Sequence, residues 1–292
     1  MTCITRFAPT PSGELHLGNL FSALFAQRIA VQLKGKLLLR IDDLDDNRSK
    51  PKFEPIILDD LKLLGISWDD DPIHQSTRFD KYEANLKKLE KNGFIYHCFC
   101  TRKERRAFLS APHGDIKAQC PNNCAKLPAK KLAKLRESEA GITLRLNAEK
   151  AGEKYGYLTF TDMIHGQREF HAGSIGDIVL GNRDLPISYH IACVTDDSTS
   201  GVNVVTRGDD LLDTTMSHRV LQMLLNLPEP VYSHHPLLLD DTGRRLAKRN
   251  ASESLTNMLD SGRTVEDILD GFNLWFDRIV FQNNTTSHIH NF

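Results

Sequence analysis

The sequence lacks the features of membrane and secreted proteins. Its 292 residues contain no run of eighteen or more apolar residues, which excludes a helix that spans a bilayer. No basic segment followed by an apolar stretch opens the chain, so no secretory signal is indicated. Six cysteines without such a signal favour reduced thiols or metal ligands over disulfides. We therefore expect a cytoplasmic protein without a membrane partner.

The sequence also has little net charge, because 37 Lys and Arg residues nearly cancel 38 Asp and Glu residues. The charges are nevertheless unevenly distributed. Residues 42–71 carry ten acids and four bases, whereas residues 101–136 carry ten bases and two acids. A basic face on a neutral chain could meet a polyanion such as RNA, although a solvated helix face explains the same residues.

Apolar periodicity predicts a β-α-β unit in the first forty residues. Residues 3–7 fit a short strand, residues 17–25 have helical spacing that stops before Gly35, and Lys36–Ile41 is an almost continuous apolar run. A hairpin is expected near residues 237–247, and a frayed polar tail at residues 281–292. Alternating elements predict an α/β fold with a mainly parallel sheet. Further helices are predicted at residues 56–64, 80–92, 189–194, 214–225 and 265–272, and strands at residues 94–99, 141–147 and 202–208.

The turn PTPSGELHLG, residues 9–18, connects the first predicted strand to the first predicted helix. Ligands of doubly wound sheets bind at such a junction, and a helix N-terminus offers free backbone N–H groups to a phosphate. Gly13 and Gly18 allow close approach to the backbone, and His16 can donate a hydrogen bond to a phosphate oxygen. A Pro/Gly turn with a capping histidine is the alternative interpretation.

Four blocks of the sequence together resemble the glutamyl- and glutaminyl-type class I aminoacyl-tRNA synthetases. RFAPTPSGELHLGN contains HLGN at the place of the HIGH motif, and RIDDLD resembles RIEDTD of that family. TRGDDLLDTT resembles the next shared block, and RLAKR stands where the KMSKS loop is expected. The resemblance implies a Rossmann-type catalytic domain that activates an amino acid with ATP and, we expect, Mg²⁺.

By this resemblance, His16 and Lys248 are catalytic residues. Gly13, His16, Gly18, Asn19 and Lys248 are implied to bind ATP. Lysine suits the stabilisation of a transferring phosphate, because it is a mobile point charge on a flexible stem.

Three positions depart from the family motifs. Asn19 replaces the second histidine, Arg245 replaces the first lysine, and Ala247 replaces a serine hydroxyl. A solvated basic hairpin is the alternative interpretation of the segment around Lys248.

The resemblance also implies a site for glutamate. Arg6 and Arg207 are implied to bind its side-chain carboxylate, and Asp42 is implied to bind its ammonium. Because Asp42 is one methylene shorter than the glutamate of the family, it must approach the ammonium about 1.5 Å more closely or bind it through a water. Two arginines favour glutamate over glutamine, since only the acid neutralises both. An Arg6–Asp42 ion pair and core packing of Tyr189 are the alternatives. The implied glutamate-binding residues are Arg6, Phe7, Ala8, Pro9, Thr10, Asp42, Tyr189 and Arg207.

Four cysteines form two close pairs in a polar segment. Cys98 and Cys100, with Cys120 and Cys124, could present four thiolates to a structural Zn²⁺. Buried reduced cysteines are the alternative. The pattern is similar to that of the glutamyl-Q group of the family, in which a tyrosine stands at the place of Cys120.

The length of the sequence bears on its substrate. Some forty residues follow Arg249, which leaves no room for the anticodon-reading domains of full glutamyl-tRNA synthetases. The resemblance to the glutamyl-Q group implies that L-glutamate is joined to queuosine in the anticodon of tRNA(Asp). A minimal synthetase that charges a tRNA 3′ end and a non-catalytic RNA-binding relative are the alternatives. The expected division is 1–97 and 141–250 for the two halves of the catalytic domain, 98–140 for the zinc-binding insertion, and 251–292 for a short helical segment and polar tail.

Overall fold

The computed structural model describes residues 2–101, 104, 120, 124–137, 142–238 and 254–282. None of the helices in these ranges is both long enough and apolar enough to cross a bilayer. The strands are β1 Ile4–Phe7, β2 Lys36–Ile41, β3 Asp69–His74, β4 Ile95–Cys98, β5 Thr143–Leu146, β6 Tyr157–Asp162, β7 Gly166–His171, β8 Val179–Asn182, β9 Val204–Gly208 and β10 Val231–His235. The helices are α1 Leu17–Gln32, α2 Phe53–Leu63, α3 Phe79–Lys91, α4 Ala129–Glu137, α5 Ala148–Tyr155, α6 Tyr189–Thr199, α7 Leu212–Leu225, α8 Leu255–Asp260 and α9 Val265–Gln282.

The predicted β-α-β unit is confirmed by β1, α1 and β2. β1 and β2 pair in parallel, and all of β2 except Lys36 is buried, as expected for a strand covered on both faces. The chain turns from α1 into β2 through Gly35, where an added Cβ would lie 2.2 Å from the carbonyl oxygen of Cys3. Only glycine fits at this close approach.

Parallel strand pairs lie on both sides of β1, in two separate sheets. On one side the order is β1-β2-β3, and on the other β9 pairs with β10 and β10 with β6, with β7 antiparallel at the edge. Ile4 of β1 and Asn203, which precedes β9, exchange two hydrogen bonds of 2.8 and 3.0 Å. The carboxyl ends of β1 and β9 therefore lie side by side at a reversal of strand order, where α/β sheets bind ligands.

A second, antiparallel sheet has the order β4-β5-β8. It presents the end of β4, and thus Cys98, to the segment that returns through Cys124. Sequence reasoning did not find the polar strand β7 or the helix α5, which has only eight residues and buries only the small residues Ala148, Ala151 and Gly152.

The last helix is longer than the sequence reading allowed. The prediction of a helix over residues 265–272 was wrong at its end, because α9 continues to Gln282. Phe272, Phe276 and Ile279 continue the spacing of three and four residues and are buried. Phe272 packs edge-on against Phe21 of α1 at 5.6 Å between ring centroids. Residues 283–292 of the expected frayed tail and the expected hairpin beyond Leu238 lie outside the described residues.

Candidate functional site

His16 and Asn19 form a capping box at the start of α1. Nδ1 of His16 accepts the backbone N–H of Asn19 at 3.3 Å, and the side-chain oxygen of Asn19 accepts the backbone N–H of His16 at 3.4 Å. Because Nδ1 is an acceptor, the proton of the neutral ring is on Nε2. A Cβ at Gly18 would lie 3.1 Å from the His16 ring, so glycine gives the ring its place against the helix. His16 thus caps α1 at the positive end of the helix dipole.

A cleft of about 530 Å³ opens at the carboxyl ends of β1, β2, β9 and β10. Its volume lies in the range of small-molecule sites. Residues from four strands and from the N-terminal turn of α1 form its wall. Trp275 of α9 also contributes to the wall, next to Phe21 and His235 at 5.4 Å from each. Sequence reasoning missed Trp275 because the predicted helix stopped three residues before it.

The cleft brings together most of the residues that the sequence singled out. Gly13 lies in the turn before α1 and is not part of the described wall. Lys248, with Arg245 and Ala247, falls in residues 239–253, outside the described part of the chain. The predicted site residues in the wall are Arg6, Phe7, Ala8, Pro9, Thr10, His16, Gly18, Asn19, Asp42, Tyr189 and Arg207.

Arg6 belongs to a buried network of charges. Its Nε and Nη2 contact the two carboxylate oxygens of Asp197 at 3.0 and 3.3 Å. Asp197 also accepts a hydrogen bond from Arg40 at 2.7 Å, and Arg40 binds Asp42 at 2.6 and 3.2 Å. Burial opposes the charge on Asp197, but Arg6 and Arg40 outweigh it and lower the pKa of that carboxyl. The expected alternative, an Arg6–Asp42 pair, is wrong, since each residue has a different partner.

Arg207 has different surroundings. Its guanidinium donates to His234 Nε2 at 3.1 Å, to His218 Nδ1 at 3.2 Å and to the Thr215 hydroxyl at 2.5 Å. It also lies 5.2 Å from the centre of the Tyr232 ring. Within the described residues no carboxylate lies within 4 Å of this guanidinium. Arg207 is therefore a buried cation whose charge has no direct acidic partner.

Counting the charges shows what the cleft can accept. The two exposed charges of the wall, Arg48 and Asp210, have opposite signs. The buried guanidinium groups of Arg6, Arg40 and Arg207 face the buried carboxylates of Asp42 and Asp197, which leaves one buried positive charge. Burial of such a charge is unfavourable until an anion neutralises it. The geometry favours a ligand with a carboxylate at Arg207 and a cation at Asp42, whose oxygens keep free lone pairs.

Tyr189 lines the cleft beside this network. Its ring centre lies 5.4 Å from that of His218. Burial raises the pKa of its phenol, so the hydroxyl is neutral at pH 7 and able to donate a hydrogen bond.

Sequence reasoning did not find Asp197 or the groups that hold Arg207. One signal could have indicated Asp197. It follows the apolar segment of α6, and an acid that is buried there needs a charged partner. The partner itself was not predictable, because Arg6 and Asp197 are 191 residues apart.

The four cysteines of the polar segment form one cluster. Their sulfur atoms all lie within 4.8 Å of one another. The closest pairs, Cys98–Cys120, Cys100–Cys120 and Cys100–Cys124, are separated by 3.4, 3.4 and 3.8 Å. Four sulfurs at 2.3 Å from a tetrahedral Zn²⁺ would be about 3.8 Å apart, whereas a disulfide needs about 2.05 Å. The donor set and the spacing fit a closed structural zinc site.

Comparison with known proteins identifies the family. A model of the catalytic domain of class I tRNA synthetases (E and Q) matches residues 2–276. The chain is 39% identical over 274 residues to the glutamyl-Q tRNA(Asp) synthetase of Rhodobacter capsulatus, covering 91% of this chain and 98% of that protein. It is 35% identical to glutamate–tRNA ligase 1 of Halorhodospira halophila, of which it spans 58%.

A solved structure supports the same assignment. The crystal structure of a glutamate tRNA ligase from Elizabethkingia meningosepticum in complex with its amino acid superposes with a TM-score of 0.74 at 26% identity. It covers 90% of this chain, and the chain spans 54% of the ligase. The fold, the cleft and these similarities show that the chain belongs to the class I tRNA synthetases of the E and Q type, within the glutamyl-Q tRNA(Asp) synthetase group.

Proposed function

We propose that the chain activates L-glutamate with ATP and transfers the glutamyl group to queuosine in the anticodon of tRNA(Asp). The observation that carries this proposal is the buried guanidinium of Arg207, which has no carboxylate partner among the described residues, in a cleft that also contains the N-terminus of α1. The choice of queuosine as the acceptor rests on the similarity to the glutamyl-Q tRNA(Asp) synthetases, which are 37–39% identical to this chain.

Glutamate recognition follows from the charges of the cleft. The side-chain carboxylate binds Arg207, and Asp42 receives the ammonium while it stays bound to Arg40. Arg6, already neutralised by Asp197, borders the carboxylate site and shapes it. A glutamine side chain leaves Arg207 without an anion, which costs roughly 1.5–3 kcal/mol, or about 10- to 150-fold in affinity.

Activation is an in-line attack of the α-carboxylate of glutamate on the α-phosphate of ATP. A new P–O bond forms, and pyrophosphate leaves with the electron pair of the broken bond. The His16 Nε2–H and the first N–H groups of α1 are proposed to bind the phosphates. Lys248 and Mg²⁺ are proposed to neutralise the leaving pyrophosphate.

Transfer completes the reaction. A hydroxyl of the queuosine ring attacks the carbonyl carbon of glutamyl adenylate, and AMP leaves. Queuosine lies in an anticodon loop, where unstacked bases can enter a protein cleft. Exposed lysines on α4 (Lys130, Lys131 and Lys134) are candidates to contact the RNA backbone.

The cysteine cluster is proposed to bind a structural Zn²⁺. Cys98, Cys100, Cys120 and Cys124 fill all four coordination positions, so the metal would join β4 to the segment around Cys124 without taking part in the reaction. The cytoplasmic location and the domain boundaries stay predictions.

The test uses labelled glutamate, ATP and tRNA(Asp) with or without queuosine. We expect label on the queuosine nucleoside after nuclease digestion, and none when the tRNA lacks queuosine. Label on the 3′ adenosine would instead establish the minimal synthetase. Absence of glutamate-dependent ATP–pyrophosphate exchange by zinc-loaded protein would favour the non-catalytic relative. Lys248→Ala should abolish exchange without changing the melting temperature, since its role is charge neutralisation.

A further inference from the structure

The guanidinium of Arg207 is held by neutral groups. Three acceptors receive its N–H groups, namely the imidazoles of His218 and His234 and the hydroxyl of Thr215. All three residues are almost completely buried, with at most 2% of their surface exposed. An ion pair would hold an arginine more simply, as Asp197 does for Arg6 in the same cleft.

Behind His234 lies a carboxylate that fixes the state of the ring. Oδ2 of Asp162 is 2.5 Å from Nδ1 of His234 and also accepts the backbone N–H of His234 at 3.1 Å. Oδ1 accepts the backbone N–H groups of Ile164 and His165, both at 2.9 Å. Burial raises the pKa of Asp162, but the hydrogen bond from His234 and those from the backbone lower it overall, so the carboxylate is ionised.

This arrangement determines where the His234 proton is. Nδ1 carries the proton, because its partner is a carboxylate that already faces only donors. Nε2 of His234 therefore has a lone pair and acts as an acceptor. It lies 3.1 Å from Nε of Arg207 and 2.8 Å from the Thr215 hydroxyl oxygen. Burial and Arg207 disfavour a second proton and lower the pKa of His234.

We propose that the Asp162–His234 pair positions Arg207 for glutamate by presenting a neutral acceptor to it. The carboxylate orients the guanidinium through the imidazole but does not contact it. The Arg207 charge thus stays available for the side-chain carboxylate of the substrate. The inference rests on the proposed function and names Asp162, His234 and Thr215 as positioning residues for substrate specificity.

A neighbouring pair provides a matched control. His165 binds Asp209 at 2.7 Å, with the same chemical groups, but both side chains are partly exposed and neither contacts Arg207. The ring centres of His165 and His234 are 6.5 Å apart. Asp209→Asn therefore removes a comparable carboxylate from a comparable imidazole without altering the contacts of Arg207.

The test compares Asp162→Asn with Asp209→Asn. An amide at residue 162 still accepts the backbone N–H groups of Ile164 and His165 on its oxygen. Its NH₂ group replaces Oδ2, so it loses the hydrogen bond from the backbone N–H of His234 and donates to Nδ1 of that ring. The ring proton then moves to Nε2, which turns a donor toward the Nε–H of Arg207. We expect KM for glutamate to rise about tenfold or more, with KM for ATP within about twofold of wild type. Asp209→Asn should change neither constant.

Two variants of Thr215 test the proposal even if Asp162→Asn does not fold. Thr215→Val removes one neutral acceptor from Arg207 with little change in shape, and Thr215→Ser keeps the hydroxyl. We expect Thr215→Val to raise KM for glutamate several-fold, about threefold or more, and Thr215→Ser to retain the wild-type value. Unchanged KM for glutamate in Thr215→Val, or an equal rise in KM for glutamate and ATP in Asp162→Asn, would overturn the proposal.

Calorimetric titration of each folded variant with L-glutamate separates this inference from the proposed function. Its dissociation constant reports the glutamate site even when no transfer to tRNA occurs. If the wild-type protein binds glutamate but does not label queuosine, only the proposed acceptor is refuted. If Thr215→Val and Asp162→Asn bind glutamate with the wild-type dissociation constant, the positioning role of Asp162, His234 and Thr215 is refuted.

Discussion

Replacing Thr215 by aspartate tests whether the unpaired charge of Arg207 selects the substrate. The Thr215 hydroxyl already accepts a hydrogen bond from Nη2 of Arg207, so a carboxylate at this position would form an ion pair with it. Thr215→Asn is the matched control, because asparagine has the same size as aspartate and no charge. Both variants change the shape of a fully buried site in the same way, and only one of them neutralises Arg207.

The expected size of the effect follows from Coulomb's law. A carboxylate at residue 215 and the substrate carboxylate, both bound to one guanidinium, lie about 5 Å apart. At an effective dielectric constant of about 20, two like charges at that distance repel by about 3 kcal/mol. Glutamate should therefore bind about 10²-fold more weakly to Thr215→Asp than to Thr215→Asn. Glutamine, whose side chain is neutral, should show little difference between the two variants.

Glutamate-dependent ATP–pyrophosphate exchange gives KM for glutamate, and inhibition by glutamine gives its affinity. Melting curves establish that both variants are folded at the assay temperature. The reasoning requires the ratio of glutamate to glutamine affinity to fall in Thr215→Asp alone. An equal ratio in the two variants would refute it, because the charge of Arg207 would then not distinguish the substrates.

Three further predictions concern stability and metal content. Arg6→Gln should lower the free energy of unfolding by about 3 kcal/mol, because it removes a partner of the buried carboxylate of Asp197. Arg207→Gln should change the free energy of unfolding by less than about 1 kcal/mol. Urea titration measures both values, and equal losses would contradict the charge count. Burial and Arg207 lower the pKa of His190 to about 4. Because the unfolded chain takes up this proton first, His190 should contribute about 1.6 kcal/mol to the loss of stability from pH 6.5 to pH 5. His190→Asn should lose less stability over this range by that amount, and identical pH dependence would count against this assignment. Cys100→Ser should lose bound zinc by atomic absorption while Cys3→Ser keeps it, and unaltered zinc in both would remove the metal assignment.

The β-α-β unit and its turn were predictable because their signals are local. Gly35, the apolar strand Lys36–Ile41 and the helical spacing before it each specify structure within a few residues. β7 was not predictable in the same way, since its residues are mostly exposed and polar. The end of α9 was misjudged although Phe276 and Ile279 continue the apolar face at helical spacing.

For the site, sequence motifs predicted which residues line the cleft but not how they are paired. His16, Asp42, Tyr189 and Arg207 all lie in its wall. Their roles toward ATP and glutamate stay predictions. Asp197, the partner of Arg6, is 191 residues away in the sequence. The partners of Arg207 in α7 and β10 are 8 to 27 residues away, but no periodic pattern indicates that their side chains meet the guanidinium. The cluster of four cysteines was easier to predict, because cysteines in two close pairs indicate a common metal site.

Arg6 and Arg207 look equivalent in the sequence, since each ends a buried strand beside the same cleft. Their surroundings make them different. Asp197 compensates Arg6, whose pairing with a carboxylate stabilises the fold, whereas neutral acceptors hold Arg207 and leave its charge for a ligand. If both were compensated, the cleft would have no preference for an acid, and if neither were, the ligand-free fold would bury two unpaired cations. One paired and one unpaired arginine would therefore reconcile a stable fold with the proposed selection of a single carboxylate.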